Sequence, residues 1–127
     1  MNKKVLVIVI TVLIIVVGTY MFISVNSNET MISVTSASTL KNGDFFTVVL
    51  KDNYRNTYPD QVIDVKILDE SGWAHHFNAT TDEKGQANIL IQGMENGNYT
   101  VHSQFNGTLF LHPSKSVNNL EINDGMN

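Results

Sequence analysis

Thr81–Val101 reads TDEKGQANILIQGMENGNYTV, and its punctuation decides the fold class. Thr81-Asp82-Glu83-Lys84-Gly85 is a turn, and Gln86–Gln92 alternates with Ala87, Ile89 and Ile91 on one face. Gly93–Gly97 turns again, and Tyr99 follows Gly97 at the opening of another strand. Strand, turn, strand with no helical period between them is the grammar of an antiparallel sandwich.

Working outward, the same grammar recurs. Met31–Ser38 reads as a first edge strand, and Asn42-Gly43-Asp44 is a turn signal. Phe45–Lys51 puts Phe46, Val48 and Leu50 on one face, and Asp52–Asp60 is a loop closed by Pro59. Val62–Asp69 sends Ile63, Val65 and Ile67 inward, and Glu70-Ser71-Gly72 turns the chain. Trp73–Thr81 is a fourth strand with Phe77 and Ala79 inward. Asn98–Phe105 buries Tyr99, Val101 and Phe105. Asn106-Gly107 predicts a two-residue hairpin with Thr108–His112 returning across it, and Val117–Asn123 is the last strand. The expectation is an all-β single sandwich of seven or eight strands in Greek-key order, preceded by one N-terminal transmembrane helix.

That helix is read from Val5–Ile23, which carries no charge. Nineteen residues at helical rise span roughly 28 Å, close to the hydrocarbon thickness of a bilayer. Its large aliphatic residues sum to on the order of −5 kcal/mol for insertion. Lys3 and Lys4 precede it, so the positive-inside bias leaves the N-terminus cytoplasmic and the rest of the chain outside. A cleaved signal peptide is the competing reading, with Val25-Asn26-Ser27 as its cleavage site and a secreted domain as its product. The expected division is 1–23 cytoplasmic stub and signal-anchor helix, 24–30 polar tether, 31–123 sandwich and 124–127 tail.

Composition excludes several function classes. With no cysteine there is no disulfide, thiolate metal site or cysteine nucleophile. Removing Lys3 and Lys4 from the formal net charge of −4 leaves −6 for the remainder, which disfavours nucleic acid and anionic headgroups as partners.

The motifs Asp44–Asp52, Val62-x-x-Val65-x-Ile67, Thr81-Asp82-x-x-Gly85-x-Ala87, Gly97-x-Tyr99-x-Val101 and Phe105-x-Gly107 occur in that order. Over Met31–Asn123 this resembles the bacterial-type Ig-like repeats of adhesin-like surface proteins, notably those of methanogenic archaea. Prealbumin-like and carboxypeptidase-regulatory-like sandwiches share the Thr-Asp-x-x-Gly and Gly-x-Tyr elements and are the near alternative. The resemblance implies an Ig-like fold, a cell-surface location and no catalytic residues. The chain departs from the pattern in two ways: the loop Tyr54–Pro59 lacks glycine, and there is one copy where the family runs in tandem arrays.

Candidate sites follow from residue chemistry. Asp82, Gly85, Gly97 and Tyr99 are structural, Tyr99 by turning its hydroxyl back onto upstream backbone. Tyr54, Arg55, Tyr58 and Trp73 are the residue types that anchor protein interfaces. Asn28, Asn78, Asn98 and Asn106 open glycosylation sequons. His75 and His76 point to opposite faces, and His102 is expected in the other sheet from His76, so His75, His76, His102 and His112 make no metal site. Asp69-Glu70 and Asp82-Glu83 match no calcium-loop spacing. With no nucleophile–base pair, neither catalysis nor a cofactor is expected. The resulting expectation is a membrane-anchored, extracytoplasmic, adhesin-like domain contacting an unidentified protein or cell-envelope component. The alternatives are an exported small-ligand or metal-binding protein and an accessory subunit of a membrane complex.

Overall fold

The computed structural model describes residues 2–26 and 28–125, with side chains in the N-terminal helix described as far as Val17. Met1 of the expected stub, Ser27 of the tether and its cleavage alternative, and residues 126–127 of the tail lie outside the described residues.

One helix, α1 (Lys3–Asn26), precedes eight strands. Asn2 caps α1, its side-chain oxygen accepting the Lys4 amide at 3.0 Å. The hydroxyl of Thr11 donates to the Val7 carbonyl at 2.8 Å, so even this polar residue is satisfied within the helix. Every described side chain of α1 is exposed, so none of them packs into the sandwich. Among the described residues no helix is long and apolar enough to cross a membrane; as backbone, α1 continues for 24 residues to Asn26.

The strands are β1 (Met31–Val34), β2 (Thr39–Leu40), β3 (Phe45–Lys51), β4 (Val62–Leu68), β5 (Ala74–Thr80), β6 (Gln86–Leu90), β7 (Gly97–Phe105) and β8 (Ser114–Ile122). They form a three-stranded sheet, β1-β3-β6, and a five-stranded sheet, β2-β8-β7-β4-β5. Alternation explains the packing between them. Phe46, Val48 and Leu50 on β3, Ile63, Val65 and Ile67 on β4, and Ala87 and Ile89 on β6 face one another in a dry core. Tyr99, Val101 and Phe105 on β7, with Leu120 and Ile122 on β8, complete it. Phe77 and Ala79 on β5 are half-buried against this core rather than within it.

Three expectations are corrected. Met31–Ser38 is not one strand: β1 pairs antiparallel with β3, then the chain crosses sheets and β2 pairs parallel with β8. Polar residues make the crossing, where the Ser36 hydroxyl accepts the Thr47 amide at 3.0 Å. The Asn106-Gly107 hairpin does not form. Phe105 pairs with Ser114 instead, and the intervening loop folds around Thr108, whose hydroxyl accepts the Leu111 amide at 3.2 Å while Leu111 is buried. Burying Leu111 wins over a tight turn that would leave it outside. Finally, β5 lies in the same sheet as β7, where the other sheet is expected, because the Asp69–Trp73 turn closes a hairpin that pairs β5 with β4.

Register defines two ends. Loops 52–60, 81–85 and 106–113 gather where β1 begins, the helix end. Turns 41–44, 69–73 and 91–96, with the residues after β8, form the far end.

Candidate functional site

The helix end is organised by a buried acid. Asp52 follows Phe46, Val48 and Leu50 on the inward face and is only 4% exposed. One carboxylate oxygen accepts the amides of Tyr54 at 2.8 Å and Asn56 at 2.9 Å. The other accepts the Asn56 side-chain amide at 2.9 Å and the Tyr58 hydroxyl at 2.7 Å. Burial pushes the carboxyl upward, but these donors outweigh it and hold the pKa at about 2. Burial and the neighbouring Asp52 carboxylate push the Tyr58 phenol upward.

The loop carrying Asp52 is closed from two further sides. Thr81 donates its hydroxyl to the Tyr58 carbonyl at 2.7 Å and accepts the Gln61 amide at 2.9 Å. Gly85 lies so close beneath that a Cβ there would stand 2.7 Å from Thr57 Cβ, at φ 75°. Asp82 shapes that turn by accepting the amides of Lys84 and Gln86.

Asn28 and Thr30, in the expected 24–30 tether, hydrogen-bond to this end of the sandwich. Asn28 donates its amide to the Phe110 carbonyl at 2.9 Å and accepts the His112 amide at 2.8 Å. Its side chain donates to the Tyr58 hydroxyl at 3.3 Å, and Thr30 donates to the His112 carbonyl at 2.7 Å. An exposed ion pair, Glu29 with His112 at 3.2 Å when the imidazole is protonated, adds little.

The four aromatic and basic candidates therefore separate. Tyr58 is turned inward as part of the Asp52 network. Tyr54 and Arg55 stand exposed at the tip of the same loop, Arg55 in the left-handed region at φ 69°. Trp73 lies at the opposite end of β4, exposed beside the turn in which Asp69 accepts the amides of Ser71 and Trp73. One surface containing all four does not exist, because β4 stands between them.

At the far end Tyr99 donates to the Glu95 carbonyl at 2.6 Å, with Gly97 opening its strand. Asn42 ties the adjacent turns together, donating to the Met94 carbonyl at 2.7 Å and to Asp124 at 2.9 Å.

The histidine expectation is corrected in one respect. His76 and His102 share a sheet, each paired opposite Lys66 on the outer face. Two strand spacings hold them roughly 10 Å apart with an ammonium between, which no single ion bridges. Among the described residues no group of three His, Asp or Glu could hold a metal. Around this row lies a polar groove lined by Asp64, Asn78, Gln104 and Lys115.

All four sequon asparagines are exposed. Asn28 sits in the helix-end network, while Asn106 and, with its amide reoriented, Asn78 donate to the Asp64 carboxylate. Asn98 reaches Glu70 at 3.4 Å at the far end. Asp52 is the organising residue that sequence reasoning missed, and the inward run 46, 48, 50, 52 was the available signal.

No protein-family model matches the chain, and no curated protein matches it. Among solved structures it is similar to the tetra-tandem repeat in the extending region of a large adhesion protein, at TM-score 0.53 and 14% identity. The chain is folded like an adhesion-protein repeat. The match covers 77% of this chain and 25% of the other, so this chain spans about a quarter of that neighbour's length.

Proposed function

We propose that this protein is a membrane-anchored, extracytoplasmic, adhesin-like module that makes protein or envelope contacts and carries out no chemistry of its own. The observation that carries the reading is the pairing of two parts in one chain. A sandwich folded like an adhesion-protein repeat follows a 24-residue helix whose described side chains all lie exposed. Exposed Val, Ile and Leu on all sides of the described part of the helix, Val5–Val17, suit lipid and not water. The uncharged run Val5–Ile23 and the preceding lysines support an N-terminus on the cytoplasmic side. Contact with a partner then falls to the end facing away from the bilayer, where Trp73 stands 68% exposed.

Protease added to intact cells is expected to remove the sandwich while sparing a cytoplasmic control; a fully protected sandwich overturns the topology. A crosslinked pull-down of the full chain, with an anchor-only version as control, tests the contact role. A partner retained by the full chain and diminished by Trp73→Ala supports it. Recovery of no protein or wall polymer by the full chain counts against it.

A further inference from the structure

The helix end presents apolar groups that the sandwich leaves outside. Leu111 turns into the core, while its neighbours Leu109 and Phe110 remain 61% and 50% exposed, and Tyr54 on the adjacent loop is 85% exposed. These are not the tips of loose loops. The Tyr54 loop is fixed by four hydrogen bonds to Asp52. The Phe110 loop is fixed by its Thr108 turn and by the backbone bonds to Asn28.

Their position is set by the chain. Asn26 closes α1, and two residues later Asn28 is already hydrogen-bonded to the Phe110 carbonyl at 2.9 Å. Two residues span about 7 Å at most. The Phe110 carbonyl is thus held within about 10 Å of the point where α1 ends, and Tyr54 lines the same hollow as Asn28.

We propose that loops 52–60 and 106–113 make a second membrane contact, seating Tyr54, Leu109 and Phe110 in the interfacial zone of the bilayer that α1 enters. This rests on the anchor reading above. Amphipathic aromatic rings favour that zone, where one edge is apolar and the other hydrated. Charges at this end are mixed, with Arg55, Lys84 and Lys115 against Glu29, Asp60, Asp82 and Glu83, all exposed. Burial of apolar surface is therefore the driving force, and a zwitterionic phosphatidylcholine surface with no net charge suffices. The consequence is a sandwich standing end-on, fixed at two places rather than swinging on a tether.

The chain has one tryptophan, Trp73, at the far end, which makes it its own reporter. Three full-length proteins are placed in phosphatidylcholine vesicles with or without bromine on the acyl chains: wild type, Trp73→Phe/Phe110→Trp and Trp73→Phe/Val12→Trp. The contact predicts that brominated lipid removes most of the emission at positions 110 and 12 and leaves Trp73 unchanged. Quenching at position 12 with none at 110 overturns the second contact and leaves the anchor standing. No quenching at position 12 overturns the anchor and this inference together. Quenching of Trp73 equal to that at position 110 means a sandwich lying on its side, and overturns the end-on contact.

Discussion

The two ends of the sandwich close the same core by different means. At the helix end long loops converge, and a buried carboxylate with four donors fixes the 52–60 loop, which Thr81 and Gly85 close from outside. At the far end the turns are short: Asp69 closes its own turn through the Ser71 and Trp73 amides and Tyr99 reaches back to Glu95, while Asn42 ties its turn to Met94 and Asp124. Long loops need a shared hub because their backbone amides have no strand partner. Tight turns satisfy theirs locally. The 52–60 loop is tied to Thr81 and Asn28 as well as to itself, the 69–73 turn to itself and, by one long bond, to Asn98, and substitutions distinguish the two.

The largest difference is expected between two glycines. Gly85→Ala must adopt φ 75° and meets Thr57 Cβ at 2.7 Å, so it should cost about 2–3 kcal/mol. Gly72→Ala at the far end has φ 88° but open space around it, and should cost about 1 kcal/mol. Chemical denaturation of both variants measures the gap; equal losses would mean the helix end is no more tightly tied than the far end.

Acid should probe the hub next. Asp52 titrates at about 2 in the fold, below the value of about 3.9 for an unfolded aspartate. Its ionised form therefore stabilises the fold above about pH 4, and that contribution is lost as pH falls towards 2. Asp52→Asn should flatten the stability profile across that window, and Tyr58→Phe, which removes one of the four donors, should move the loss to higher pH. Thermal melts between pH 2 and 5 read both; a profile unchanged by Asp52→Asn would show that other carboxylates dominate.

Smaller still, Tyr99→Phe should cost about 1 kcal/mol, the worth of one hydrogen bond in a turn that keeps its other bonds. The smallest change should be a gain. Ser103 is buried midway along β7 with its hydroxyl unpartnered, so Ser103→Ala should be neutral or stabilising by up to about 1 kcal/mol. A clear loss on denaturation would mean the hydroxyl has a partner after all.

Strand positions were legible because alternation leaves no freedom once one face is buried: Phe46, Val48 and Leu50 can point only one way. Sheet membership was less so. Nothing in Ala74–Thr80 itself says which sheet takes β5; the decision rests on the Asp69 turn, whose geometry depends on where Trp73 places its amide. Asn106-Gly107 carried a strong local signal that lost to Leu111, a residue four positions on. The polar interior was readable yet unread. Asp52, Thr81 and Ser103 each occupy the next inward position of an apolar series, where a polar residue signals either a hub or an unmet hydroxyl. For contact surfaces the sequence offered residue types without adjacency, so Tyr54 and Trp73 looked like companions though β4 separates them.

The parallel pairing of β2 with β8 has a mechanical consequence. The chain enters the sandwich at the helix end and leaves β8 at the far end, so tension between the two runs along the strands. The bonds from Glu121 to Ser38 and from Asn123 to Leu40, at 2.8 and 2.9 Å, lie across that pull. They are loaded in shear and must yield together, not one by one like a zip, so a tug on the far end meets its resistance where β2 and β8 lie side by side.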